Sequence, residues 1–390
     1  MTANITKKDA VKFVVLMGIL SLLADMTYEG ARSITGPYLG TLGASGAIVG
    51  FVAGFGEFFG YGLRLFSGYF VDRSHRYWLI AILGYFINLL AVPLLALTTR
   101  WWTASFLIVA ERAGKGIRNP ARDAMLSHAA QRMGMGWGFG LHEAMDQTGA
   151  MLGPLLVALI LYWHGHYQHA FAMLAIPAMA ALGVLFISCF LYPDPKTLEA
   201  QSKPLAFTTL KANKPFWIYL IGASLVALGY ADFALIAYHF GKEQLISPLW
   251  IPITYAIALG TNIVMAPWLG HLYDRKGFIV LVMMTAIASL FAPLVFFGNI
   301  QWAVLGVIVW GIGYGAQNSL MRAIIGNIVP KEKRGSAYGV FNAIFGVCWF
   351  LGSALMGVLY DTSLIFLVIF SVSAQLLALP FLWKARRLLL

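Results

Sequence analysis

Asp25 and Glu29 stand four residues apart in one apolar run, so a helix through them carries both carboxylates on one face. Two carboxylates placed that way can share, take up and release protons. Glu57 and Arg112 fall near the middles of two further apolar runs and are candidates for the same proton handling. The alternative for these residues is a static ionic network, with Arg32 or Arg64 as counter-charge to Asp25 and Glu29. The stretch from Glu111 to Met125, ERAGKGIRNPARDAM, adds Lys115 and Arg118 as possible contacts for an anion. It contains GKG without the GxxxxGK[ST] pattern or a preceding strand, so it is not a phosphate loop.

Glu143 and Asp146, three apart, share a face near one end of the next run, where pairing with Arg118 or Arg122 competes with solute contact. Asp232 with His239, and Gln317, Asn318 and Arg322 within GIGYGAQNSLMR, supply polar groups to the second half of the chain. They read as solute contacts or as ordinary interhelical hydrogen bonds. His164, His166 and His169 resemble a metal cluster by composition, but no carboxylate accompanies them, and an interfacial loop with Tyr162 is the plainer reading. No zinc motif, nucleophilic triad or cofactor signature is present, so neither metal nor cofactor is expected.

The elements that carry these groups are membrane helices. The chain has 390 residues, of which 60% are hydrophobic and 11% charged, with a mean hydropathy of +0.76; soluble domains carry roughly 25% charged residues. The net charge of +11 would suit nucleic acid in a soluble protein, but apolar stretches of about 20 residues fill most of the chain. Nucleic acid is therefore excluded and the positive charge assigned to membrane-facing loops. Twelve crossings are predicted, at 11–35, 45–71, 78–98, 103–126, 136–161 and 169–192, then 215–240, 249–270, 278–298, 302–328, 337–359 and 363–383. The polar stretch 194–214 reads as a cytoplasmic linker between an N-terminal six-helix bundle, 1–193, and a C-terminal one, 215–390. The basic residues before the first run resemble a signal peptide, yet no cleavage site follows, so the run is read as a retained helix. Cys189 and Cys348 lie inside apolar runs and are expected to be free.

A charged side chain at mid-bilayer costs roughly 2.5–3.5 kcal/mol, which favours a wet cavity or a partner over lipid. The burden is asymmetric: the first half holds most of these charges, and the second chiefly Asp232 and Arg322. Basic residues concentrate in alternate loops, at Arg73 and Arg76, Arg122 and Arg132, the linker, Arg275 and Lys276, and Lys331 to Arg334. That bias places both termini in the cytoplasm. GYFVDR, from Gly68 to Arg73, recurs as GHLYDR, from Gly270 to Arg275, and Gly134 with Gly138 recurs as Gly335 with Gly339, both at offsets of roughly 200 residues. Parallel repeats of six helices suit two bundles that rock about a central cavity.

On these residues the chain resembles the major facilitator superfamily. Gly68, Asp72, Arg73 and Arg76 match the family's loop motif between the second and third crossings, with His75 where a glycine is usual; Gly270, Asp274 and Arg275 match its weaker copy. The resemblance implies that these residues gate the cytoplasmic face without touching solute. Arg112 and Gly116 match the fourth-crossing pattern associated with proton coupling, with Lys115 in place of glutamine. GAMLGP, Gly149 to Pro154, looks like part of the exporters' fifth-crossing motif. Gly149 and Gly153, four apart, permit close helix approach and Pro154 permits a kink, so the segment is either a gating hinge or a tight helix contact.

The resulting expectation is a multi-pass bacterial inner-membrane transporter, all-α with twelve helices in two bundles. It would export a small organic solute in exchange for protons by alternating access, as a monomer in lipid. Proton-coupled uptake of an anionic metabolite or metal chelate is the alternative. A membrane enzyme or sensor would need a clustered nucleophile and base or a soluble domain, and neither is visible.

Overall fold

The computed structural model describes residues 7–74, 76–194, 214–329 and 334–388. The linker, apart from its two end residues, and His75, Lys331 and Lys333 lie outside the described residues. The regular elements are helices: α1 (Lys7–Thr41), α2 (Gly46–Ser74), α3 (Tyr77–Leu94), α4 (Trp101–Met133), α5 (Met135–His164), α6 (Tyr167–Met173), α7 (Ala175–Leu191), α8 (Lys214–Leu228), α9 (Phe233–Lys242), α10 (Trp250–Lys276), α11 (Ile279–Ala288), α12 (Phe291–Phe297), α13 (Ile300–Ile328), α14 (Arg334–Thr362) and α15 (Leu364–Arg387).

Among the described residues, eleven helical stretches are long and apolar enough to cross a membrane. Three of them, Tyr167–Leu191, Lys214–Lys242 and Ile279–Phe297, each join two consecutive helices. The twelfth crossing is α4. Its 33 residues span about 50 Å, but Glu111, Arg112, Lys115, Arg118, Arg122 and Asp123 dilute its hydropathy. It also runs seven residues past the end expected from apolar content, because Ala129 and Met133 of that last stretch pack into the core of the first unit. Gly134, at φ 102°, then turns the chain directly into α5.

The seventh crossing is broken between α8 and α9. Gly229 leaves the helix, and its freed carbonyl accepts hydrogen bonds from Ser371 Oγ at 2.6 Å and Gln375 Nε2 at 3.3 Å, both on α15. Asp232 restarts the helix by accepting from the Ala234 amide at 3.0 Å. Backbone polar groups have no water to turn to inside a bilayer, so a break persists only where such partners exist.

Contacts divide the chain into two compact units, residues 1–32 with 59–204 and residues 33–58 with 205–390. The first is packed around Phe13, Tyr85, Leu89, Leu126 and Leu185. The second is packed around Tyr219, Leu281, Met321, Phe341 and Leu382. Within the second, the Asp361 carboxylate accepts from the Gly46 amide at 2.9 Å and the Ala47 amide at 2.7 Å, tying the end of α14 to the start of α2.

The internal repeat extends to the packing. In the first unit Gly149 of α5 lies against the Leu22 carbonyl of α1, and Gly153 against Met26 and Gly30. In the second, Gly352 of α14 lies against the Leu228 carbonyl of α8 in the same way. Without an apolar driving force between helices in lipid, such small-residue contacts are a main source of association. A Cβ on Gly149 would collide with Leu22, so Gly149→Val is expected to destabilise the protein by about 1–3 kcal/mol. A lowered melting temperature in detergent checks this, with Gly183→Val, which meets open space, as the unaffected comparison.

Candidate functional site

Within the first unit, α1 and α4 meet at Tyr28. Asp25, Tyr28, Glu29 and Arg32 fall on one face of α1, and Arg112, Lys115 and Arg118 fall three apart on α4. Asp25 is 3% exposed. Its Oδ2 accepts the Tyr28 hydroxyl proton at 2.8 Å, and its Oδ1 lies 3.6 Å from Arg118 Nη2. The Tyr28 oxygen in turn accepts from Lys115 Nζ at 2.5 Å. The Tyr28 ring is ringed by cations, with Lys115 at 3.8 Å, Arg118 at 5.8 Å and Arg112 at 5.9 Å from its centroid.

Arg118 is fully buried and stacks 4.4 Å over the Tyr85 ring of α3. None of its guanidinium nitrogens has a hydrogen-bond partner among the described residues. Asp25 is thus its ion-pair partner, and the Tyr85 ring is a further support for the buried cation.

A second arm continues along α1 and α5. Ser21 Oγ lies 2.8 Å from His142 Nε2 and 3.4 Å from Arg122 Nη1. Arg122 pairs with Asp123 at 2.8 Å and with Asp146 at 3.8 Å. Glu143 points elsewhere: it is exposed and accepts from Gln147 at 2.9 Å. Towards the other end of α4, Glu111 accepts from Asn88 Nδ2 at 2.7 Å and lies 3.3 Å from Arg112. Glu29 is buried, with Arg32 at 4.0 Å.

The remaining candidates are placed apart from this cluster or play local parts. Glu57 is half-buried in the segment that belongs to the second unit. There Asp232 caps α9 and His239 Nδ1 meets the Tyr360 hydroxyl at 3.1 Å. Gln317 is buried with neither end of its amide hydrogen-bonded among the described residues, whereas Asn318 is exposed. The side chains of Arg322 and Asp72 lie outside the described residues.

Gly68 is in the last two turns of α2; Arg73 is exposed there and donates to the Tyr69 hydroxyl at 2.9 Å, with Arg76 just before α3. Gly270, Asp274 and Arg275 close α10 in the same manner, with Asp274 and Arg275 exposed. Pro154 lies inside an α5 that runs unbroken past Gly149 and Gly153. His164, His166 and His169 gather with ring centroids 5.2 and 5.7 Å apart. Among the described residues, no group of three or more His, Cys, Asp or Glu is placed to hold a metal ion. Cys189 and Cys348 are free.

Tyr28, Ser21, His142 and Asn88 are the site residues the sequence reading missed. Tyr28 had a signal, since it follows Asp25 by three residues on the same helical face.

The family model described as Major Facilitator Superfamily matches residues 17–353, and again 279–388. The chain belongs to the Major Facilitator Superfamily. This is a family of membrane transporters rather than enzymes, and the twelve-crossing all-α architecture is its fold. An uncharacterized protein of Mycobacterium tuberculosis is 40% identical over 97% of this chain and 94% of its own length. An uncharacterized MFS-type transporter of Methanocaldococcus jannaschii is 26% identical over 92% and 91%. Among solved structures, the nucleoside transporter NupG in its D323A form superposes with a TM-score of 0.77 at 18% identity, covering 95% of this chain and 99% of that one. As a Major Facilitator Superfamily member the chain is a multi-pass membrane protein built for secondary transport of small molecules.

Proposed function

We propose that this protein couples the export of a small organic solute to proton entry, with Asp25 as the proton carrier. The reading rests on one observation: a buried carboxylate bonded to Tyr28 and 3.6 Å from a fully buried arginine. Ionised, Asp25 holds Arg118; protonated, it releases it. The two protonation states therefore stabilise different arrangements of α1 and α4, and a proton can bias an equilibrium between conformations only through such a difference. Lys115, linked through Tyr28, feels the same change. Glu29, Glu57 and Arg112 are the supporting members of the coupling set. Lys115, Glu143, Asp146, Gln317, Asn318 and Arg322 are the solute contacts, Arg118 is the counter-ion of Asp25, and the α2 and α10 end motifs with Gly149, Gly153 and Pro154 are the gates. The protein works as a monomer in the bacterial inner membrane with both termini in the cytoplasm.

A second reading, uptake of an anion together with a proton, is favoured by the three cations around the Tyr28 ring. Proteoliposomes carrying an internal pH dye separate the two. Under an imposed inward proton gradient, export predicts that dissipation requires solute inside the vesicle; uptake predicts that it requires solute on the same side as the protons. Labelled solute that crosses with no proton movement in either arrangement would remove proton coupling altogether.

A further inference from the structure

The repeated helix contact is filled in one half and open in the other. Four residues before Leu22 and Gly149 come Gly18 and Met145, and the Met145 side chain packs onto Gly18. Four residues before Leu228 and Gly352 come Ser224 and Cys348. The shorter cysteine leaves the corresponding space unfilled. There α8 and α14 enclose a groove of about 410 Å³, lined by Trp217, Ile221, Leu225, Leu228, Ile344 and Cys348 among others, and almost wholly apolar.

The groove runs along one stripe of α8. Trp217, Ile221, Leu225 and Leu228 recur at helical spacing over about 17 Å, with Trp217 40% and Ile221 47% exposed. One turn before Trp217 the same stripe begins with Lys214, exposed at the first residue of the crossing. A cation and a tryptophan at the end of an apolar channel within a membrane-crossing helix match one kind of molecule, an amphiphile with a negative head and a hydrocarbon tail.

We infer that this groove seats an anionic phospholipid, with one acyl chain between α8 and α14 and its phosphate at Lys214. The volume is at the small end of ligand pockets and suits one chain rather than a whole lipid. The seat lies wholly within the second unit, and it is independent of which solute is carried and of proton coupling.

Native mass spectrometry of the full-length protein, released from micelles supplied with equal phosphatidylglycerol and phosphatidylcholine, tests it. The wild type is expected to retain phosphatidylglycerol over phosphatidylcholine by about fivefold or more. Lys214→Ala is expected to bring the two to parity. Cys348→Met, which installs the residue used at the equivalent place in the first half, is expected to lower retention of both lipids. Leu225→Trp fills the groove from the other wall and should do the same if Cys348→Met folds poorly. Equal retention of the two lipids by the wild type would overturn the assignment in favour of bulk lipid chains. Retention untouched by both filling variants would overturn it by placing the lipid elsewhere. A bound non-lipid mass lost from both filling variants would overturn it by making the groove a solute site.

Discussion

Asp25→Asn is expected to reduce solute-dependent proton flux by about 100-fold or more, the scale on which a lost proton-transfer group is felt. The substitution is nearly isosteric, and the amide oxygen still accepts the Tyr28 hydroxyl that Oδ2 now binds at 2.8 Å. What it removes is the ability to alternate between a charged partner of Arg118 and a neutral neighbour. Exchange of labelled solute at equal concentrations on both sides should survive, because that half-cycle needs no net proton movement. Glu29→Gln is expected to do less, since Glu29 has Arg32 4.0 Å away and stands outside the Tyr28 hydrogen bonds described above. Proton flux that persists in Asp25→Asn but vanishes in Glu57→Gln would move the carrier role to Glu57.

Arg118→Leu is expected to destabilise the protein by about 3–5 kcal/mol, because it removes one partner of a buried ion pair. The arginine is fully buried and held by a ring stack on Tyr85 at 4.4 Å, so the lost side chain also vacates a packed site. The double variant Asp25→Asn with Arg118→Leu is expected to recover part of the loss, since no unpaired charge remains. Melting temperatures of the four proteins in one detergent give the coupling directly as a double-mutant cycle. Equal losses in the single and double arginine variants would show that packing, rather than the ion pair, sets the cost.

The positions of most crossings were legible because lipid imposes a single crude demand, roughly 20 apolar residues in a row. Where that demand is relaxed, legibility falls. The lower end of α4 is helical to Met133 although its apolar content ends earlier, and the seventh crossing is two helices because Ser371 and Gln375 serve the break. The charged faces of α1 and α4 were visible as helical spacing, but spacing cannot choose partners between helices. Asp25 faces Arg118 rather than Arg32 or Arg64, and of the two arginines the spacing offered to Asp146 it is Arg122 that lies beside it. Tyr28 escaped notice for a related reason: a tyrosine in an apolar run reads as packing until its hydroxyl is seen between Lys115 and Asp25.

The break at Gly229 also sets an order on the making of the protein. Its carbonyl is served by a residue 142 positions further along the chain. At about 5–20 residues per second of synthesis, the seventh crossing waits roughly 7–30 s before Ser371 exists. During that interval an exposed backbone carbonyl is poorly suited to hydrocarbon. The nascent α8–α9 segment therefore either stays continuous or keeps water beside it until α15 arrives, and a helix made long after the seventh crossing is the one that finishes it.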